Sequence, residues 1–120
     1  MPNILIVDDD DAVRGILLEL LSGKYECNTA STAEEAIQFL EIETYDLVLT
    51  DLAMPGTTGV GLMKRMQLMD LDTQVIIISG KEGEEDPDTL TQMGAFAFVR
   101  KPFRLDEIED LIARAVNSAS

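Results

Sequence analysis

Ile4-Leu5-Ile6-Val7-Asp8-Asp9 places four consecutive apolar residues directly before two carboxylates. A continuous apolar run of this length describes a strand covered on both faces, as in a parallel sheet; a half-exposed strand would alternate. The same construction recurs along the chain. Asp51 follows Asp46-Leu47-Val48-Leu49-Thr50, Ser79 follows Val75-Ile76-Ile77-Ile78, and Lys101 follows Ala97-Phe98-Val99-Arg100. Side chains just past the carboxyl ends of an open parallel sheet converge on one crevice. The sequence therefore predicts a pocket shared by Asp8, Asp9, Asp51, Ser79 and Lys101.

Between these strands the apolar spacing turns helical. Asp11 is expected to cap a helix carrying Val13, Ile16, Leu17, Leu20 and Leu21, which ends near Gly23. Cys27 to Ala30 forms a weaker second strand. Thr32 and Glu35 then form a capping box ahead of Ala33, Ala36, Ile37 and Leu40. Residues 52–59 form a loop, followed by a helix with Val60, Leu62, Met63, Met66 and Met69, in which the methionines fill core. Residues 80–85 form a polar connection. Asp86-Pro87 then starts a short fourth helix that Gly94 stops. A fifth strand spans Ala95 to Val99, and after Pro102 a last helix carries Leu105, Ile108, Leu111, Ile112 and Ala115. Strand and helix alternating five times give an α/β fold with a parallel sheet and helices on both faces.

With 120 residues, 46% of them hydrophobic, the chain supports one packed domain over residues 1–120. The polar stretch 117–120 is either a plain tail or the start of a linker. No apolar run approaches the roughly 18 residues of a membrane span, and the first residues lack a signal-peptide pattern, so a soluble, cytoplasmic protein is expected. The single cysteine, Cys27, cannot form an internal disulfide and is assigned a small apolar role. The net charge of −14 disfavours contact with nucleic acid or anionic membrane. The absence of histidine removes the commonest general base and excludes histidine-ligated zinc or a Ser-His-Asp triad.

Charge dictates the chemistry of the pocket. Two unit charges ~4 Å apart repel by roughly 4 kcal/mol at an effective dielectric near 20. Three such pairs among Asp8, Asp9 and Asp51 approach the ~5–15 kcal/mol stability of a whole domain. Either the carboxylates take up protons or a cation neutralises them. An all-oxygen donor set suits Mg²⁺, which commonly completes its shell with water and phosphate oxygens. Lysine and serine at the same rim offer a point charge and a hydroxyl donor to a phosphoryl group, and a carboxylate can itself be the nucleophile.

Four segments together, Ile4 to Asp10, Asp51 to Gly59, Ser79-Gly80, and Gly94-Ala95 through Phe98 to Phe103, resemble the response-regulator receiver domain of bacterial two-component signalling. The resemblance extends along the whole chain. It implies a flavodoxin-like sheet of order 2-1-3-4-5 with five helices. Asp51 is then the phosphoacceptor, and Asp9, Asp51 and the backbone carbonyl of Ala53 bind Mg²⁺, which Asp8 reaches through water. Lys101 pairs with the phosphoryl oxygens and Ser79 turns to bond one of them. Phe98 stands at the aromatic switch position, and the Lys101-Pro102 peptide is implied to be cis. The domain would be a signalling switch rather than an enzyme, its only chemistry being self-phosphorylation and slow autodephosphorylation. Its implied partners are a sensor histidine kinase or phosphotransfer protein, and a downstream protein or tethered output domain.

Alternation over the expected fifth strand puts Phe96 and Phe98 on one side, and suggests a phosphorylation-dependent homodimer through that face. Ala53 and Lys81 occupy positions that in the family influence the lifetime of the acyl phosphate. The competing enzyme reading is a haloacid-dehalogenase-like phosphatase with Asp8 as nucleophile and Asp10 as acid/base; Ala12 and the lack of a later acidic pair speak against it. A Rossmann nucleotide site is disfavoured because carboxylates stand where a glycine-rich phosphate cradle is needed.

Overall fold

A computed structural model describes residues 1–53, 56–80 and 87–118. Among these, the apolar runs form strands β1 (Asn3–Val7), β2 (Glu26–Ala30), β3 (Leu47–Asp51), β4 (Gln74–Ser79) and β5 (Ala97–Arg100). They alternate with helices α1 (Asp11–Leu21), α2 (Ala33–Ile42), α3 (Gly59–Leu68), α4 (Pro87–Gln92) and α5 (Leu105–Ser118). All pairings are parallel and the sheet order is β2-β1-β3-β4-β5. The expected doubly wound α/β sheet is therefore present.

The period-two alternation of the buried strands sorts the core into two layers. Leu5, Val7, Val48, Val75 and Ile77 point to one face, where α2, α3 and α4 pack through Ile37, Leu40, Leu62, Met63, Met66 and Leu90. Ile4, Ile6, Leu47, Leu49, Ile76, Ile78 and Val99 point to the other face, covered by Leu17 and Leu21 of α1 and by Ile108, Ile112 and Ala115 of α5. Burying a Leu or Ile side chain contributes about 1.5–3 kcal/mol each, so both layers, rather than helix propensity, hold the sheet together.

The termini of the elements follow local chemistry. Asp10, not Asp11, caps α1, its carboxylate accepting from the Ala12 and Val13 amides. Four consecutive aspartates compete for that position, and Asp11 becomes the first helical residue, where its charge still complements the helix dipole. Ile16 departs from the expected apolar stripe and is 49% exposed, because Leu17 and Leu21 take the sheet-facing positions. Thr32 caps α2 through the Glu35 amide, whereas the Glu35 carboxylate reaches back to the amide of Ser31, one residue earlier than an ideal capping box. The anticipated Asp86 cap lies outside the described residues. Gly94, at φ +116°, closes α4 in a backbone region that a side chain rarely adopts.

Two further expectations are corrected. Pairing of β5 begins at Ala97, so Phe96 precedes the strand while the chain is still leaving the Gly94 turn, and strand alternation does not carry back to it. Phe96 packs against the α1–α5 layer and Phe98 against the α2–α4 layer, so they do not form one shared apolar face for a homodimer. Asn117 and Ser118 continue α5 rather than forming a tail. Cys27 is half-buried against the α1–α5 layer.

Gly15 lies mid-helix on the exposed side of α1, and an added Cβ would meet no atom within 4 Å. Gly15→Ala is therefore expected to stabilise the fold by about 0.5–1 kcal/mol. Equilibrium urea unfolding checks this: an unchanged or lower midpoint would show that the backbone there resists regular helix.

Candidate functional site

Parallel register brings the strand ends together. Val7 lies beside Thr50, Asp51 beside Ile78, and Ser79 beside Arg100, so the residues that follow β1 and β5 meet those that end β3 and β4. Asp8, Asp51 and Ser79 are 1%, 6% and 2% exposed, while Asp9 stays at the surface. One carboxylate oxygen from each of Asp8, Asp9 and Asp51 lies within 4.8 Å of the others. Lys101 enters from the far edge: its ammonium donates to Asp8 Oδ2 at 3.2 Å and lies 3.6 Å from Asp51 Oδ2. The Lys101–Pro102 peptide is cis, and the Lys101 amide donates to the Ser79 carbonyl at 2.7 Å.

Electrostatics at this pocket is unbalanced. Burial first, then the charge of Asp8, push the Asp51 carboxyl up to about 6; Lys101 and the Ala53 amide pull in the opposite direction without cancelling them. For Lys101, burial disfavours the cation, but Asp51 and Asp8 outweigh it and leave the ammonium above its ordinary value. One lysine thus compensates three carboxylates only in part. The donor set is entirely oxygen, closely spaced and under-neutralised, which fits a small hard cation such as Mg²⁺.

The surrounding elements fix this geometry. Asp8 Oδ1 accepts from the Asp10 amide, and the Arg14 guanidinium donates to the Asp8 carbonyl while pairing with Asp11. In the sequence Arg14 carries one local signal, its position three residues after Asp11. The loop after Asp51 is held by Glu34 at the start of α2, whose carboxylate accepts from the Thr57 hydroxyl at 2.6 Å, an interaction that also keeps Glu34 below the usual carboxylate range. Periodicity cannot show this contact, because it joins a helix to a distant loop. Ala53, half-buried, follows Asp51 by two residues; Lys81 and the rest of the polar connection up to residue 86 lie outside the described residues.

Gly59 opens α3 against the strand end. A Cβ there would stand 2.5 Å from the Asp51 carbonyl oxygen and 3.1 Å from Leu52 Cα, both backbone atoms. Gly59→Ala is expected to cost about 1–3 kcal/mol and to displace the loop carrying Ala53. Urea unfolding, with the Asp51 and Ala53 amide resonances read alongside, tests this: a native-like midpoint and unshifted resonances would contradict it.

The family model described as the response regulator receiver domain matches residues 4–113. The chain belongs to the response regulator receiver domains. The DNA-binding transcriptional regulator NtrC of Klebsiella pneumoniae is 34% identical over 113 residues, which are 93% of this chain and 24% of that protein. Sporulation initiation phosphotransferase F of Bacillus subtilis is 33% identical over 112 residues, covering 92% of this chain and 90% of that protein. A solved receiver domain protein from Clostridium thermocellum superposes with a TM-score of 0.90 at 27% identity, covering 98% of this chain and 96% of that one. The chain spans about a quarter of the length of the NtrC relatives it matches. Receiver domains are signalling modules, and the phosphatase reading falls with this assignment. In the structure the Asp10 carboxylate, the acid/base of that reading, is engaged in capping α1. Among the described residues no helix is long and apolar enough to cross a membrane.

Proposed function

We propose that this receiver domain is a phosphorylation-operated switch in which Asp51 accepts the phosphoryl group. The carrying observation is the convergence of the Asp51 carboxylate with Asp8, Asp9 and Lys101 at one strand-end pocket. Asp51 is the carboxylate at the floor of the pocket that ends a strand and faces the lysine. An Asp51 oxygen attacks phosphorus, and the bond from phosphorus to the donor breaks with its electron pair leaving on the donor; for a phosphohistidine donor that is an imidazole nitrogen.

Asp9, Asp51 and the carbonyl of Ala53 would hold Mg²⁺, with Asp8 linked through water. When bound, the ion supplies positive charge against which the carboxylates and the incoming phosphoryl oxygens no longer repel one another. Lys101 contributes the protein's own positive charge, already aimed at Asp8 and Asp51. Ser79, buried beside them, turns its hydroxyl to a phosphoryl oxygen. Phosphorylation adds charge and acceptor oxygens, and the movement of Ser79 is passed to Phe98, which can respond only by packing because it has no hydroxyl.

The donors are a sensor histidine kinase or a phosphotransfer protein. The reader is a protein partner or an output domain on the same polypeptide, in the cytoplasm. With a net charge of −14 this domain makes no nucleic-acid or membrane contact of its own. Incubation with a small phosphodonor and Mg²⁺, read by intact mass, tests the assignment. Addition of one phosphoryl group, lost in Asp51→Asn, is the expected result; labelling that survives Asp51→Asn but is lost in Asp8→Asn overturns it.

A further inference from the structure

We propose that Arg100 is a positioning residue for Phe98, stacking on its ring and so opposing the change that follows phosphorylation of Asp51. The proposal rests on the switch role given to Phe98 above. Arg14, Lys24, Lys101, Arg104 and Arg114 each pair with a carboxylate. Arg100, like Lys64 and Arg65, makes no ion pair among the described residues, although acidic side chains outnumber basic ones 23 to 9. The Arg100 guanidinium instead stands 5.6 Å from the centroid of the Phe98 ring, within the range of a cation–π contact.

The register gives this contact its meaning. Phe98 lies opposite Ile77 and Arg100 opposite Ser79. Residues two apart on a strand share a face, as do partners across a parallel pair. Ser79, Arg100, Ile77 and Phe98 thus occupy the four corners of one patch on the α2–α4 side, with Ser79 and Phe98 on the diagonal. When Ser79 turns toward a phosphoryl group, room opens at its corner. A ring that moves to use this room gives up the place in which it now faces the guanidinium. No hydroxyl anchors the ring at either end of its travel, so the stack with Arg100 weighs directly on the balance between the two positions. Exposed cation–π contacts correspond to roughly a two- to five-fold bias in such an equilibrium.

Titration with beryllofluoride in the presence of Mg²⁺ tests this, with the Phe98 ring and the Asp51 amide followed by NMR. Arg100 is exposed on the edge strand, so its substitution leaves the core intact. Arg100→Met is expected to lower the midpoint about two- to five-fold, and Arg100→Lys, which keeps the charge but not the planar stack, to lower it less. In a Phe98→Leu background Arg100→Met is expected to leave the amide-detected midpoint unchanged. Equal midpoints for native and Arg100→Met protein, or an undiminished shift in the Phe98→Leu background, overturn the proposal. If the native protein binds beryllofluoride while the Phe98 ring stays still, the switch role fails and the proposal with it. If the Asp51 amide does not respond at all, the phosphoacceptor assignment fails first.

Discussion

Asp51→Asn is expected to abolish phosphoryl uptake and, at the same time, to make the metal-free protein more stable at neutral pH. The first effect is the loss of the nucleophile. The second follows from the raised carboxyl. Unfolded, an aspartate loses its proton near 3.8; folded, Asp51 holds it to about 6 because burial and Asp8 disfavour its charge. Between these values the native state binds more protons than the unfolded state, so stability falls as pH rises and the full cost is present above pH 6. A difference of about two pH units corresponds to roughly 3 kcal/mol. The attraction of Lys101 is already contained in that shift, so neutral asparagine is expected to gain up to about 3 kcal/mol at pH 7–8, vanishing below about pH 4. Urea unfolding of both proteins in chelator from pH 4 to 8 reads it. A variant no more stable than the native protein at pH 8 would contradict the strain assigned to this pocket.

Lys101→Met is expected to act in the opposite direction. Methionine keeps much of the apolar stem but removes the ammonium, leaving Asp8, 1% exposed, without its cation. Stripping one partner from a fully buried ion pair costs about 3–5 kcal/mol. The Lys101 side chain is 23% exposed, so water at the pocket mouth recovers part of this and about 2–3 kcal/mol is expected at pH 7. The loss shrinks as the pH is lowered and Asp51 takes up its proton. Added Mg²⁺ stabilises the variant by mass action if the three carboxylates bind it, so the gap to the native protein narrows in millimolar Mg²⁺. A midpoint indifferent to both pH and Mg²⁺ would mean that Lys101 is not the principal neutraliser of the site.

The sheet and the pocket were legible in the chain because they rest on one signal repeated: an apolar run that ends on a reactive side chain. Parallel pairing requires such runs, and parallel topology requires their ends to meet. The finer misreadings occur where that signal has no phase. Ala95-Phe96-Ala97-Phe98-Val99 is apolar throughout, so nothing in it marks where pairing begins, and a strand start two residues later sends the two phenylalanines to different layers. Asp8 to Asp11 offer the same side chain four times, and only the backbone path selects Asp10 as the cap. Arg14 on the Asp8 carbonyl and Glu34 on Thr57 are contacts of long side chains across elements, for which spacing along the sequence carries no information.

The Asp8–Lys101 pair closes across 93 positions of sequence, joining the residue after β1 to the residue after the edge strand β5. Neither half of the chain contains the site. A molecule in which β5 has not docked has carboxylates but no lysine, and one in which β3 has slipped its register by a single residue turns Asp51 to the other layer. On the proposed reading, competence to accept phosphate is a property of the finished sheet alone. In a mixed population the phosphorylated fraction would count native molecules, so the chemistry of the switch doubles as an inspection of its own assembly.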